Sequence, residues 1–229
     1  MSSKNEGNQL EQIYKILYRQ YGPQGWWPLF NAKTGKFKYH KGDYSLPKND
    51  AQRFEIIVGA ILTQNTSWKN VGKALIELKK SNMLNKDAIK KANEKILASI
   101  IRSSGYHNQK AKKLKKIIEF LDSGKSITRD NLLHVWGVGK ETADSILLYA
   151  YKKPVFVIDA YTKRIISRLV GKEFDYDGLQ ELFLINLEPD FKLFNEYHAL
   201  LVEHAKNFCR KNPNCQSCFL RKDCKSFSP

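Results

Sequence analysis

The feature that most constrains this sequence is a pair of glycines, Gly137 and Gly139, between two apolar helical segments. One segment leads into the pair, and the other follows it at once, from Lys140 to Tyr151. Two glycines on either side of one apolar residue, here Val138, permit a very tight turn, because glycine tolerates positive φ and close approach of another backbone. The pattern predicts two helices joined by a sharp hairpin.

The amides that follow this turn are candidates for anion binding. The first N–H groups of a helix lack intrahelical partners, and the helix dipole favours negative charge at that end. The chain has 39 lysines and arginines against 23 aspartates and glutamates, which gives a formal net charge of +16. A charge of this sign favours nucleic acid or an anionic membrane as a partner, although it also serves solubility. We expect the anion to be a phosphate of DNA.

The apolar runs and the N-terminal residues bear on the compartment. No apolar run is long enough to span a bilayer, so we expect no membrane partner. Residues 1–12 are polar and do not resemble a signal peptide. We therefore expect a monomer in the cytoplasm, associated with DNA. In such a reducing compartment, cysteines are more often metal ligands than disulfides.

The helical period of the apolar residues dominates the chain and predicts an all-α fold of about ten helices. Residues 31–50 are the exception, because they are polar and rich in lysine, glycine, aspartate and asparagine. We expect them to form a surface insertion, with a short hairpin around Phe37, Lys38 and Tyr39. The run 155–158 is the other candidate strand, but it is too short to carry a sheet.

Four cysteines close to the C-terminus form the strongest single signal, and the chain has no other cysteine. They are Cys209, Cys215, Cys218 and Cys224. Four thiolates in a compact loop suit a tetrahedral metal ion or a [4Fe–4S] cluster. Zinc sites more often show two close pairs joined by a longer loop, whereas only one pair is close here. The spacing favours a [4Fe–4S] cluster, with zinc as the alternative.

From about residue 50 to residue 225, the chain resembles the endonuclease III superfamily of DNA glycosylases, also called the helix-hairpin-helix-GPD family. The hairpin from Leu133 to Lys140 carries its first motif, and the stretch from Pro154 to Asp159 carries its second. The four cysteines resemble its iron–sulfur loop, although the first gap is one residue shorter than in endonuclease III. The resemblance implies two helical lobes. Residues 51–153 form the hairpin lobe, and residues 1–50 with 154–229 form the cluster lobe.

The resemblance also implies roles for individual residues. Asp159 occupies the position of the catalytic carboxylate, which would stabilise an oxocarbenium-like sugar and orient water toward it. Asp159 is equally well placed to cap the helix that follows it. Gln64 matches the residue that fills the gap left in the base stack when a nucleotide is flipped out. The residues expected to bind double-stranded DNA at the hairpin are Gly137, Val138, Gly139, Lys140 and Thr142.

One departure from the family pattern bears on the reaction. In bifunctional members, a lysine two residues after the second hairpin glycine attacks the sugar as a Schiff-base nucleophile. Glu141 stands at that position here. Lys140 lies one residue earlier, and on a helix it points about 100° away. We therefore expect a monofunctional glycosylase, with Lys140 as a displaced nucleophile being the alternative.

The segments that would form the base pocket look most like the 3-methyladenine branch of the family. An alkylated purine is cationic and stacks well on tryptophan. It is also a good leaving group, so a site without a strong general acid suffices. Our hypothesis is that Trp26 or Trp27, together with Trp68, sandwiches the flipped base. The alternatives are a glycosylase acting on mismatched adenine, thymine or uracil, a bifunctional enzyme of the endonuclease III type, and a non-catalytic iron–sulfur protein that binds DNA.

Overall fold

The structure, a computed structural model, describes residues 3–227, with side chains from residue 8 onward. Within this part of the chain it contains eleven α-helices and one pair of short strands, so the predicted helical class is confirmed. The strands are β1 (Leu29–Asn31) and β2 (Lys36–Lys38). The helices are α1 (Ser3–Tyr21), α2 (Asp50–Leu62), α3 (Trp68–Lys80), α4 (Lys86–Lys91), α5 (Glu94–Ile100), α6 (His107–Asp122), α7 (Arg129–Leu133), α8 (Lys140–Ser145), α9 (Ala160–Val170), α10 (Tyr176–Asn186) and α11 (Phe191–Asn207). Among the described residues, no helix has both the length and the apolar composition needed to cross a membrane.

The chain divides into two compact units. One contains the residues up to Trp26, Tyr39–Tyr44 and the residues from Lys152 onward, and the other contains Trp27–Lys38 and Ser45–Tyr151. The lobes expected from the sequence placed residues 27–38 and 45–50 with the C-terminal half, whereas here they belong to the unit that contains the hairpin. For β1, a carboxylate in α2 provides the contact with this unit, as described next.

A short hairpin is present as expected, but its first strand begins at Leu29, before the predicted insertion of residues 31–50, and a buried carboxylate anchors it. Phe30 of β1 lies opposite Phe37 of β2 in the antiparallel pair. The Glu55 carboxylate in α2 accepts a hydrogen bond of 2.7 Å from the Phe30 amide, and its other oxygen lies 3.0 Å from Lys79 Nζ in α3. Because a buried carboxylate must be paired, this contact fixes β1 against α2 and α3.

In the unit of the hairpin, α2 is the central helix. Its residues are buried without interruption from Phe54 to Leu62, as expected of a helix that is apolar on all sides. Lys110 of α6 lies under the end of this helix and is only 1% exposed. Its ammonium donates hydrogen bonds to the carbonyls of Leu62 and Ser104, at 2.8 and 2.7 Å. These carbonyls end helical segments, where no intrahelical donor is available.

In the other unit, aromatic packing positions the segment that leads to Asp159. Phe156, in this segment, stacks on Phe183 of α10 with ring centroids 3.7 Å apart. The carbonyl of Phe156 accepts a hydrogen bond of 2.7 Å from the Gln180 side chain. The run 155–158 is therefore held by side chains and not by a sheet, as the sequence indicated.

Candidate functional site

The hairpin between α7 and α8 depends on one glycine for its backbone conformation. Gly137 has φ of +84°, in the left-handed region that disfavours other residues. A Cβ atom built on it would lie 2.5 Å from Cγ of Lys113, so the side chain of Lys113 occupies that space. Gly139 caps α8 with φ of −94°, which any residue adopts, and a Cβ there would meet nothing within 4 Å. Gly137 therefore shapes the turn, while Gly139 leaves the approach to the α8 amides open.

The residues around the two glycines differ in exposure. Val138 is buried and anchors the turn, whereas Gly139, Lys140 and Glu141 are exposed at the start of α8. Trp136, directly before Gly137, is 55% exposed. The predicted contacts of these residues with DNA remain predictions. Their exposure leaves the first amides of α8 accessible to a phosphate.

The side chains of Thr142 and Gln64 are hydrogen-bonded to each other. Gln64, in the turn after α2, donates hydrogen bonds of 2.9 Å from Nε2 to the carbonyl of Gly137 and to Oγ1 of Thr142. Its Oε1 accepts a hydrogen bond of 2.5 Å from Lys113 Nζ. Thr142 is buried. Its hydroxyl therefore faces the protein, although we expected it on the DNA-binding surface. The role of Gln64 in filling the base stack stays a prediction, and it would require breaking these bonds.

A buried ion pair fixes the two helices of the hairpin. Asp144 of α8 is fully buried, and its two oxygens lie 2.8 and 3.2 Å from Nε and Nη2 of Arg129 in α7. A bidentate pair of this kind constrains the relative orientation of both side chains. Asp144 is therefore a structural carboxylate, in contrast to the carboxylate of Asp159.

Asp159 caps α9, as its sequence position suggested. Its Oδ1 accepts a hydrogen bond of 2.7 Å from the Thr162 amide. Its Oδ2 lies 3.6 Å from Nε2 of His198, a buried residue of α11. The side chain of Asp159 is 14% exposed, so it is largely shielded from solvent but still accessible.

The surroundings of Asp159 favour its ionised form. Burial raises its pKa, but the nearby imidazole of His198 and the hydrogen bond from the Thr162 amide lower it by more. The pKa of Asp159 therefore lies below the ordinary value, and the group is a carboxylate at neutral pH. A shielded, preorganised anion of this kind stabilises a developing positive charge more strongly than water does.

Trp27 and Trp68 contact each other directly. The ring of Trp27 is buried and meets Trp68 edge to face, with centroids 5.3 Å apart and an interplanar angle of 88°. Tyr149 packs on Trp27 at the same centroid distance of 5.3 Å. A flat base needs two roughly parallel rings with a gap between them, so the sandwich predicted for Trp27 and Trp68 is not formed in this structure. Trp27 is a core residue, because Gly59 lets it approach α2 closely.

Trp26 belongs to the other unit and remains half-buried. Its ring lies edge to face with Tyr39, with centroids 5.9 Å apart, and Lys206 Nζ lies 5.7 Å from its centroid. The loop before it is anchored by Glu196, which is fully buried. The carboxylate of Glu196 accepts hydrogen bonds of 2.6 Å from the Gln24 amide and 2.7 Å from the Tyr44 hydroxyl. Burial raises the pKa of Glu196 despite these bonds.

The four cysteines line a single cavity of about 240 Å³ beside α9 and α11. Two of them face hydrogen-bonding side chains. Arg168 Nη1 lies 3.4 Å from Sγ of Cys209, and His204 Nε2 lies 3.5 Å from Sγ of Cys218. Among the described residues, no three His, Cys, Asp or Glu side chains converge closely enough to hold a single metal ion.

Comparison with known proteins decides the family. Residues 58–183, more than half of the chain, match the family described as "HhH-GPD superfamily base excision DNA repair protein". The chain belongs to the HhH-GPD superfamily. Its function is accordingly that of a base excision repair DNA glycosylase, and the predicted resemblance is confirmed.

Relatives of known name extend this assignment. A candidate DNA repair glycosylase of Methanocaldococcus jannaschii is 42% identical over 238 residues, which cover 97% of this chain and 99% of the relative. Endonuclease III of Sulfolobus acidocaldarius is 33% identical over 188 residues, covering 76% of this chain and 82% of the relative. Both relatives match along most of their length, so the similarity is not confined to the hairpin.

Solved structures show the same fold. The crystal structure of the Helicobacter pylori 3-methyladenine DNA glycosylase bound to 1,N6-ethenoadenine has a TM-score of 0.66 and 28% identity, covering 90% of this chain and 98% of that one. A non-covalent endonuclease III–DNA complex has a TM-score of 0.77 at 17% identity, covering 96% of this chain and 95% of that one. The second likeness establishes the HhH-GPD fold alone.

Three polar residues of this HhH-GPD protein escape sequence reasoning: Lys113, Glu196 and His198. His198 is a histidine within an apolar helix, which is more often a core residue than part of a site. Glu196 would have stood out as a carboxylate among the buried positions of α11. Lys113 is one of several lysines in α6, and nothing in the sequence separates it from the others.

Proposed function

We propose that this DNA glycosylase is monofunctional. It hydrolyses the N-glycosidic bond of a flipped, alkylated purine such as 3-methyladenine in double-stranded DNA and leaves the backbone intact. The observation that carries the proposal is the carboxylate of Asp159, which is shielded from solvent and held ionised by His198 and the Thr162 amide.

The reaction follows from the chemistry of the glycosidic bond. Its cleavage places positive charge on the sugar, as in other glycosidases. The ionised Asp159 stabilises this charge and orients the attacking water. The base must first rotate out of the duplex, which costs a few kcal/mol and less for a damaged pair. The open amides at the start of α8 bind a backbone phosphate and fix the register of the strand.

The absence of lyase chemistry is proposed from Glu141. This residue lies exposed in the first turn of α8, at the position where bifunctional members have their lysine. A carboxylate cannot form an imine with the sugar. The 33% identity to an endonuclease III keeps the bifunctional alternative open, with Lys140 as the displaced nucleophile.

The substrate class is supported by one structural relative and one ring. The Helicobacter pylori enzyme, 28% identical, is a 3-methyladenine DNA glycosylase. Trp26 is half-buried, and the ammonium of Lys206 lies 5.7 Å from its ring centroid, which is a favourable cation–π distance. Half-burial leaves part of this ring exposed, and a cationic alkylated base stacks well on tryptophan. We therefore assign base stacking to Trp26 and not to the buried Trp27.

The four cysteines fit a [4Fe–4S] cluster. All four line one cavity of about 240 Å³, and the wide spacing of the outer two cysteines favours a cluster over zinc. Arg168 offers a hydrogen-bond donor to Sγ of Cys209, and Nε2 of His204 contacts Sγ of Cys218, as outer partners do around metal ligands. When bound, the cluster would supply a redox centre and cross-link the C-terminal loop. A brown colour and iron content of the purified protein distinguish it from colourless zinc.

The central experiment is base release from a panel of damaged duplexes by the wild type and Asp159→Asn. We expect release of alkylated purines, reduced roughly 100-fold or more in the variant, with duplex binding retained. Asparagine also caps helices, so the fold should persist. Asp175→Asn is the matched control, because Asp175 caps α10 in the same way, accepting from the Gly178 amide at 2.8 Å.

Two results would count against this function. Full activity of Asp159→Asn would remove the proposed role of that carboxylate. Release of no base from any duplex that the protein binds would favour the non-catalytic alternative. Borohydride trapping on an abasic duplex tests the lyase question separately. We expect no covalent adduct, and an adduct lost in Lys140→Gln would establish the displaced nucleophile instead.

A further inference from the structure

Two polar side chains, Gln64 and Lys113, lie beside the hairpin and are joined by a hydrogen bond. Lys113 of α6 lays its alkyl chain over Gly137, whose missing Cβ leaves the space for it. The ammonium of Lys113 donates to Oε1 of Gln64, and Nε2 of Gln64 donates to the Gly137 carbonyl and the Thr142 hydroxyl. We refer to Gln64 and Lys113 as the hairpin clasp.

The clasp acts on the peptide group that follows Gly137. The carbonyl of Gly137 and the amide of Val138 share one planar peptide group. The amide of Val138 donates to the Val135 carbonyl at 3.0 Å, and the carbonyl of Gly137 accepts from Gln64 at 2.9 Å. This peptide plane is therefore held at both ends. Because glycine has more backbone freedom than any other residue, this plane would otherwise be the least constrained in the turn.

The second hydrogen bond of Gln64 is to Thr142, which follows the exposed residues at the start of α8. Thr142 lies in the first turn of α8, after Gly139, Lys140 and Glu141. A single carboxamide thus bridges the residue before the exposed amides and the residue after them. Holding both ends fixes the directions of the N–H groups between them, and an anion site works best when its donors are preorganised.

Lys113 determines which way the carboxamide faces. An ammonium group can only donate, so the oxygen of Gln64 must face Lys113. The NH₂ group of Gln64 then faces the carbonyl and the hydroxyl, both of which can accept. Without the ammonium, Oε1 of Gln64 would lose its donor, and the carboxamide would be held only by the Gly137 carbonyl and the Thr142 hydroxyl.

We propose that Gln64 and Lys113 are positioning residues that hold the hairpin amides in their phosphate-binding arrangement. The proposal rests on the proposed function only in taking the hairpin as the DNA-binding site. It differs from the stack-filling role in one respect. A clasp supports every duplex that the hairpin grips, whereas a stack-filling side chain matters only when a nucleotide is flipped.

The test compares Lys113→Met with Lys112→Met in affinity for undamaged and damaged duplexes. Both changes remove one positive charge from α6, but Lys112 is exposed on a different face of the helix. We expect the Kd of Lys113→Met to rise roughly tenfold for both duplexes, equal to about 1.4 kcal/mol, and that of Lys112→Met to change much less. Gln64→Leu should reproduce the effect of Lys113→Met. The double variant should add little, because both residues act through one interaction.

Salt dependence separates positioning from direct contact. If Lys113 itself bound a phosphate, its loss would reduce the slope of log Kd against log salt by about one. We expect an unchanged slope in Lys113→Met and Gln64→Leu. Lys113→Arg, which keeps a donor for Gln64, should recover most of the lost affinity. The backbone amide resonances of Gly137 and Gly139 should shift in Lys113→Met and Gln64→Leu but not in Lys112→Met.

Several results would overturn the proposal. Equal affinities of Lys113→Met and Lys112→Met would do so, as would a slope lowered by one, or a loss in Gln64→Leu confined to the damaged duplex. Thermal unfolding of each variant shows that the comparison is made on folded protein. The proposed function fails separately, through base release by the wild type and Asp159→Asn, neither of which alters the clasp.

Discussion

Lys110 provides the most quantitative test of the structure, because it is a buried lysine whose cost can be worked out. Burial, with a smaller contribution from the charge of Lys113, lowers the pKa of Lys110 to about 8. The ordinary value is 10.5, and a difference of about 2.5 in pKa corresponds to about 3 kcal/mol. This is the free energy that the folded protein loses by holding the charged form of Lys110.

The sign of the pH dependence follows from proton binding. Below about pH 8, Lys110 is protonated in both the folded and the unfolded chain, and the cost is fully present. Between about pH 8 and 10.5, the unfolded chain keeps the proton that the folded chain has released. The unfolded state then binds more protons, so the free energy of unfolding rises with pH across this window.

Lys110→Met removes the charge and also removes a donor. At neutral pH the variant escapes the cost of about 3 kcal/mol, but the carbonyls of Leu62 and Ser104 lose their partner, at about 1–3 kcal/mol each. The two lost partners together cost about 2–6 kcal/mol, so the net change in stability at pH 7 lies between about +1 and −3 kcal/mol. From pH 7.5 to 10.5 the wild type should gain about 3 kcal/mol relative to the variant, which has no group to titrate there.

Urea unfolding followed by circular dichroism at several pH values measures this difference. Lys112→Met is the control, because it removes an exposed lysine from the same helix and should remain parallel to the wild type. The reasoning would be refuted if Lys110→Met also followed the wild type within about 1 kcal/mol across the whole range. In that case the charge of Lys110 would be solvated in the folded protein, contrary to its burial.

Two further predictions concern the site. Because His198 helps to keep the pKa of Asp159 below its ordinary value, His198→Gln should raise that pKa and move the acid limb of base release to higher pH. An acid limb that does not move would contradict this role of His198. Gly137→Ala and Gly124→Ala both place alanine at positive φ, at a cost of about 1–2 kcal/mol in stability. Only Gly137→Ala also displaces Lys113, so only this variant should lose affinity for duplex DNA, as a binding titration against Gly124→Ala would show.

The sequence predicts the parts of the site that depend on residues close together in the chain. The turn at Gly137 requires a positive φ, and the glycine at that position predicts it. Asp159 precedes a helix and caps it, so its place and its bond to Thr162 follow from the local pattern. The four cysteines lie within sixteen residues and line one cavity.

The parts that escape prediction are contacts between distant residues. Gln64 meets Gly137 and Thr142, 73 and 78 residues away, and the type of residue alone does not reveal those partners. The tryptophans show the same limit. The sequence identifies Trp27 as an unusual aromatic residue, but only packing against Gly59 and Tyr149 shows that it is buried in the core.

The net charge of +16 overstates the number of basic residues that are available to bind DNA phosphates. In the unit of the hairpin, the ammonium of Lys110 donates hydrogen bonds to two carbonyls, and Lys79 forms an ion pair with the buried Glu55. Asp122 engages two more lysines at 2.6 and 2.5 Å, Lys86 and Lys90. Charges committed to the fold release few counterions when DNA binds, because their field is already neutralised or buried. The slope of log Kd against log salt should therefore reflect the number of phosphates bound at exposed positions, such as those around the α8 amides. It should not reflect the total excess of basic residues in the chain.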